Sequence, residues 1–244
     1  MSPYLFDFSD FRTLHAQRFT LHVLLIAGFL LASSMAWAGS NLVVNGHFSD
    51  TNEFLRGWKY NYEDTGNELF AANHTYVSVT NEGSKQHVLS LRANDALIGI
   101  QGVQVDSDPI PVAPGGRYKL TVSAKTTWPD CRILAEGYRW RPGIKPHANP
   151  KLAELRKCYR FTQVYFGAEK AGTMGGITNA IGCWSRASQT FPDEKMSKLA
   201  QESFNKVQFL VIHIIAIGNW PKSPDVPEWI YLYVDDVNLE RINK

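Results

Sequence analysis

Trp229-Ile-Tyr-Leu-Tyr-Val-Asp-Asp-Val-Asn-Leu239, close to the C-terminus, is the stretch on which the fold turns. Ile230, Leu232 and Val234 recur at the two-residue period of a strand with one buried face. Val237 and Leu239 carry the opposite parity. All five reach one core only if an extra residue is accommodated near Asp235-Asp236, which predicts a strand with a β-bulge at the aspartates. Upstream, Val207-Gln-Phe-Leu-Val-Ile-His-Ile-Ile-Ala-Ile217 is apolar on both parities. Periodicity alone allows a buried helix there, but the β-branched content favours a central strand covered on both faces. After the turn cluster Pro111–Gly116, Tyr118-Lys-Leu-Thr-Val-Ser-Ala-Lys125 alternates cleanly. Tyr118, Leu120, Val122 and Ala124 point inward, and Lys119, Thr121, Ser123 and Lys125 outward. Val88–Arg92 and Gly99–Val105 alternate as well, and Asn41-Leu-Val-Val-Asn45, ended by Gly46, reads as a further short strand. The chain is therefore expected to be all-β.

Two helical pieces interrupt this pattern. Asn149-Pro-Lys-Leu-Ala-Glu-Leu-Arg-Lys-Cys158 offers Asn as N-cap and Pro at the first helical position. Phe191–Phe204 begins with Pro and two acids that suit a helix dipole, and Met196, Leu199, Ala200 and Phe204 form one apolar stripe. Both pieces lie in 128–206, which reads as a decorated insertion carrying two short helices. No internal repeat, linker or low-complexity tract is present.

Residues 1–38 do not read as folded domain. Arg12 and Arg18 precede the apolar run Leu21–Ala32, and small residues lead to Ala36-Trp-Ala38 before Gly39. That order predicts a signal peptide cleaved after Ala38 and an exported protein, secreted or periplasmic. The competing reading, an uncleaved anchor, has an apolar run shorter than the ~20 residues a spanning helix needs. The remaining 39–244 carries the whole net charge of +2, too small to indicate nucleic acid or a strongly charged partner. Of the three cysteines, Cys131 and Cys158 form the favoured disulfide pair; the alternative is three buried thiols.

Three motifs together resemble carbohydrate-binding modules of the family 4, 9 and 22 (CBM-cenC) type. Leu42-Val-Val-Asn-Gly-His-Phe48 with Gly57-Trp58 resembles that family's opening, Pro114–Lys125 its central strand, and Leu232-Tyr-Val-Asp-Asp-Val-Asn-Leu239 its close. The resemblance implies a galactose-binding-like jelly roll, a sandwich of two antiparallel sheets, with Trp58 in the core and often a structural calcium ion. Asp50, Asp235 and Asp236 are the metal ligands it implies here. Ser49 stands where the family usually has an acid, a departure that bears on calcium, which takes six to eight oxygen ligands. The other reading of the aspartate pair is that it hydrogen-bonds backbone at the bulge.

Sugar binding needs flat aromatic faces and a few polar groups. Tyr60, Tyr62, Trp128, Tyr138, Trp140, Trp184, Trp220 and Trp229 are available, although core packing is the commoner fate of any one of them. Tyr60 and Tyr62 stand out beyond Trp58, but they share its parity. Residues 131–160 hold eight basic side chains against Glu136 and Glu154, a local charge of +6. Tyr138-Arg-Trp-Arg141 interleaves two of those cations with aromatics, a pattern suited to an acidic glycan because guanidinium forks grip carboxylate and sulfate. A solvated basic face is the alternative. Catalytic patterns are absent: no Gly-x-Ser-x-Gly, His-Glu-x-x-His, Walker loop or Cys-x-x-Cys occurs. Gly172–Gly176 lacks a lysine at phosphate-binding spacing, and nothing in sequence pairs Glu136 with Glu169 as a glycosidase would need. His213 reads as a core histidine rather than a base, and Asn73-His-Thr75 is a glycosylation sequon. The chain is thus read as a non-catalytic domain binding poly- or oligosaccharide, with carbohydrate contacts at Tyr60, Tyr62, Tyr138, Arg139, Trp140 and Arg141. A surface or periplasmic protein–protein interaction module and a small polysaccharide lyase or hydrolase are the alternatives.

Overall fold

The computed structural model describes residues 40–50, 53, 55–60, 73–94, 97, 102–127, 131–160, 164–166, 181–192, 197–216 and 227–242, all but the first in the unit Asn41–Lys244. Residues 1–38, read above as a signal peptide, lie outside them. Alternating strands build two antiparallel sheets. The first sheet runs β1 (Trp58–Tyr60), β4 (Val103–Ser107), β11 (Phe209–Ala216), β7 (Cys131–Trp140), β8 (Leu155–Arg160). Two short strands join it, β5 (Ile110–Pro111) on β11 and β9 (Val164–Phe166) on β7. The second runs β10 (Ser185–Phe191), β6 (Arg117–Thr126), β12 (Ile230–Ile242), β3 (Lys85–Ala93), β2 (Val77–Glu82). Their inner faces close on one core in which Tyr118, Leu120, Val122 and Ala124 of β6 meet Leu210, Ile212 and Ile214 of β11. The fold is the two-sheet jelly-roll sandwich that the family resemblance implies, built from strands that the alternation predicts.

The bulge in β12 lies where parity requires it. Pairing of β12 with β6 shifts register between Asp235 and Asn238, and Asp236 takes a left-handed φ of 53°. Val234, Val237 and Leu239 all reach the core as a result. The bulge frees backbone groups of β12, and the N-terminal segment satisfies them. Asn41 Nδ2 donates to Val237 O (3.0 Å), Leu239 N donates to Asn41 Oδ1 (3.0 Å), and Val237 N donates to Gly46 O (2.9 Å). This segment is not the strand its apolar residues suggest. Asn45 and Phe48 adopt left-handed φ of 50° and 51°, so the chain folds into turns that plug Val43 and Phe48 into the core.

The described strands within 128–206 belong to the framework of the two sheets rather than to an insertion. β7 pairs along its length with β11, and β10 with β6. The helix expected over 149–158 is a single 3-10 turn, Leu152–Glu154, running into β8, because partnership with the β7 edge outweighs the local capping signal. The second helix is shorter than expected, α2 at Lys198–Phe204, capped by Ser197 Oγ, which accepts from Ala200 N. Phe204 is buried, but Leu199, placed on the apolar stripe, is 74% exposed. One further turn, α1, spans Asn73–Tyr76. All three cysteines remain thiols. Cys158 sits beside Gly137, its thiol donating to that carbonyl, six residues along β7 from Cys131, or about 20 Å at strand rise. Register therefore rules out the Cys131–Cys158 bridge. No helix among the described residues is long and apolar enough to cross a membrane.

Candidate functional site

Of the residues singled out for sugar contact, the described ones are spread over two faces and the core. Tyr60 pairs with Val105 and packs against the main core, as its shared parity with buried Trp58 requires. Tyr62, Trp128 and Trp220 lie outside the described residues. Tyr138 to Trp140 belong to β7, so alternation puts Tyr138 and Trp140 on one face and Arg139 on the other. Tyr138 is buried, donating its hydroxyl to Glu136 Oε2 (2.8 Å), and Trp140 packs edge-on against Phe209. Arg141, just past the strand, donates from Nε to Leu155 O (2.9 Å). The aromatic–arginine strip read from the sequence is thus split by the strand's own period.

Tyr138 instead joins a polar knot on the outer face of the seven-stranded sheet. His213 of β11 directs Nδ1 to Asp106 Oδ1 of β4 (2.7 Å) and holds Nε2 at 3.4 Å from Glu136 Oε2 of β7. Lys157 of β8 meets Glu136 at 2.6 Å, and Gln104 Nε2 donates to Asp106 (2.6 Å). Burial works against charge on His213, but bonds to Asp106 and Glu136 outweigh it and lift its pKa to about 9. Burial likewise opposes ionisation of Glu136, yet His213, Lys157 and Tyr138 bring its pKa down to about 2. Burial, with Glu136 beside it, pushes the Tyr138 hydroxyl up. Asp106, Glu136 and His213 are each at most 6% exposed, and Leu134, Phe209 and Val211 on the same face are buried too. The centre of this face is closed, and its histidine is a core histidine held between two carboxylates.

The outer face of the five-stranded sheet is different in kind. Ile230, Leu232 and Val234 fill the core, so Tyr231 and Tyr233 point outward, half-buried, with rings stacked at 5.8 Å and 4°. Arg92, across from Tyr231 on β3, places its guanidinium 5.0 Å from the Trp229 ring and 5.6 Å from that of Tyr76; those two rings lie 5.5 Å apart. Arg92 also donates from Nη2 to Thr75 O (3.2 Å). Lys125 beside Tyr233 is bound to Glu82 (2.6 Å). Burial, with Glu82 nearby, raises the Tyr233 pKa, keeping its hydroxyl a neutral donor. The sequence reading gave a role to Trp229 alone among these residues. The signal for the tyrosines was the same alternation that located the bulge.

At the rim of this face lies the aspartate doublet. Asp235 and Asp236 are gathered with His47, whose Nδ1 is 2.9 Å from Asp236 Oδ1. Asp50 is not among them: its carboxylate accepts from Glu53 N (3.2 Å) and pairs with Arg56 (3.2 Å). Lys85, the first residue of β3, places Nζ 2.6 Å from Asp235 Oδ2 and 2.9 Å from Asp236 Oδ2. Ser123 Oγ donates to Asp236 Oδ2 (3.1 Å), and Asp236 N donates to Asp235 Oδ1 (2.7 Å). An imidazole, an ammonium and two carboxylates whose oxygens are already spoken for do not make the oxygen cage that calcium takes.

No family model matches this chain, and no curated protein matches it. Among solved structures it is similar to the CBM22-2 xylan-binding domain of Paenibacillus barcinonensis Xyn10C, with a TM-score of 0.43 and 11% identity over 82% of this chain and 99% of that one. The N-terminal cellulose-binding domain of Cellulomonas fimi β-1,4-glucanase C gives 0.38 and 13% over 83% and 97%. TmCBM61, solved with β-1,4-galactotriose, gives 0.40 and 9% over 84% and 100%.

Proposed function

We propose that this chain is an exported, non-catalytic carbohydrate-binding module that holds a poly- or oligosaccharide on the outer face of its five-stranded sheet. One observation carries the reading: Tyr231 and Tyr233 stand as a parallel, partly exposed pair beside Trp229, Tyr76 and Arg92. Flat rings offer themselves to the apolar faces of sugars, and the tyrosine hydroxyls and the guanidinium supply hydrogen bonds to their edges. The opposite outer face has Tyr138 and Phe209 buried, Trp140 partly buried against Phe209, and its central charges mutually paired, so neither binding nor acid–base chemistry is assigned there. Among the described residues Arg92 has no carboxylate partner. Its charge favours a sugar bearing a carboxylate or sulfate over a neutral one. The leader Ala36-Trp-Ala38 supports export, with residues 39–244 as the mature domain.

Affinity electrophoresis against a panel of neutral and acidic polysaccharides tests this. Binding should appear for at least one polymer, and Tyr231→Ala with Tyr233→Ala should abolish it while leaving the melting temperature within a few degrees. Arg92→Ala should remove the preference for acidic polymers. Retention of full binding by the double variant overturns the reading, and release of reducing sugar by the wild type overturns its non-catalytic part.

A further inference from the structure

We infer that Lys85 is the resident cation of the Asp235–Asp236 bulge, an ammonium built into the chain that does the work a bound metal ion would do at that place. The bulge brings two carboxylates together on adjacent residues, with Asp236 forced into a left-handed backbone conformation. Like charges this close oppose each other and the local fold unless a cation lies between them. The Asp235 side chain is only 10% exposed, so water screens that carboxylate poorly, and Asp236 beside it is a third exposed.

Lys85 answers this geometry from the neighbouring strand. It bonds one oxygen of each carboxylate, at 2.6 and 2.9 Å, and the Trp184 ring lies 5.0 Å from its Nζ on a third side. An indole face attracts an organic ammonium and offers a divalent metal no ligand atom. The remaining acceptors are taken as well: Asp235 Oδ1 receives Asp236 N, Asp236 Oδ2 also receives Ser123 Oγ, and His47 stands against Asp236 Oδ1. Burial disfavours the charged lysine, but its two aspartate partners outweigh that and hold its pKa above the ordinary value. The third carboxylate that a metal site would recruit, Asp50, is turned to Arg56. Lys85 opens β3 immediately after the β2–β3 turn, so one side chain also ties that hairpin to β12. The consequence is a bulge that needs no metal and holds where calcium is scarce or chelated.

The test is thermal unfolding of the purified protein in EDTA and in millimolar calcium chloride, with elemental analysis of bound metal. The wild type should melt at the same temperature in both and carry no stoichiometric metal. Lys85→Met, which keeps much of the apolar stem and deletes the charge, should lower the melting temperature by roughly 5–10 °C for a chain of this size. Adding Asp235→Asn and Asp236→Asn to Lys85→Met should recover part of that loss, since the repulsion goes with the charges. A wild type that holds one equivalent of calcium, or that gains several degrees in calcium, overturns the inference. So does a Lys85→Met variant as stable as the wild type, or a triple variant that recovers nothing. Where Lys85→Met does not fold, the two wild-type measurements decide.

Discussion

Deprotonating His213 should cost the fold about 3 kcal/mol, and the loss should be spread over a defined alkaline window. The imidazole is buried between Asp106 and Glu136, which raise its pKa from 6.5 to about 9. At about 1.4 kcal/mol per pH unit, that displacement corresponds to about 3 kcal/mol. Below pH 6.5 the histidine is protonated in both folded and unfolded chains, so the contribution is fully present. Between 6.5 and 9 the unfolded chain releases the proton and the folded chain keeps it, so stability falls as pH rises. Glu136 works in the opposite direction, because its pKa is depressed from 4.5 to about 2. Its contribution is complete above 4.5 and is lost as pH falls toward 2. Both displacements include the same His213–Glu136 attraction, so their energies are not summed. Stability should therefore peak between about pH 4.5 and 6.5. Urea unfolding at half-unit steps from pH 4 to 9.5 reads this directly, with His213→Gln as the control that lacks the alkaline proton. If wild type and His213→Gln lose stability in parallel from pH 6.5 to 9, the reasoning fails.

Other expectations rest on the N-terminal clamp and the thiols. Asn41→Ala removes the amide that donates to Val237 O and accepts from Leu239 N and Val43 N; a loss of about 2 kcal/mol in urea unfolding is expected. Gly46→Ala should be worse, because a β-carbon there collides with the Val237 carbonyl, and overpacking of this kind costs about 3 kcal/mol. Alkylation of the native protein followed by mass spectrometry should label exposed Cys183 first. Cys158, half-buried with its thiol pKa raised chiefly by burial, should follow slowly, and buried Cys131 should react only on unfolding.

What was legible in the sequence was periodicity, and what was not was partnership. The parity change across Asp235-Asp236 located the bulge to the residue, because only one arrangement puts Val234 and Val237 into the same core. The cap signals at Asn149-Pro150 are equally local, yet they mislead: Leu155 to Arg160 pair with β7, and no short-range rule knows that a neighbouring edge is unfilled. The disulfide expectation failed for the same reason, since register decides where Cys158 falls along β7. The sugar-contact strip was read across a different kind of boundary. Tyr138-Arg-Trp-Arg141 was read as a compositional strip, although its alternating apolar and charged residues already spelled a strand with two unlike faces.

The proposed binding face can nevertheless be found from two stretches taken together. Alternation says that each strand has an outer face but not whether anything covers it; the outward residues themselves carry that information. In β11 they are Phe209, Val211, His213 and Ile215; the first three are buried and Ile215 is partly so. In β12 they are Tyr231 and Tyr233, flanked by Arg92 and Lys125, side chains with an apolar body and a polar tip that suit a half-wet surface. The outward, stacked pair Tyr231 and Tyr233 is what marks the five-stranded sheet as the proposed ligand face. Exchanging the character of one strand tests this: Tyr231→Thr with Tyr233→Thr keeps β-propensity and should leave the fold standing while erasing glycan affinity. If those substitutions unfold the protein instead, the tyrosines are covered core, and the five-stranded face is not the binding surface.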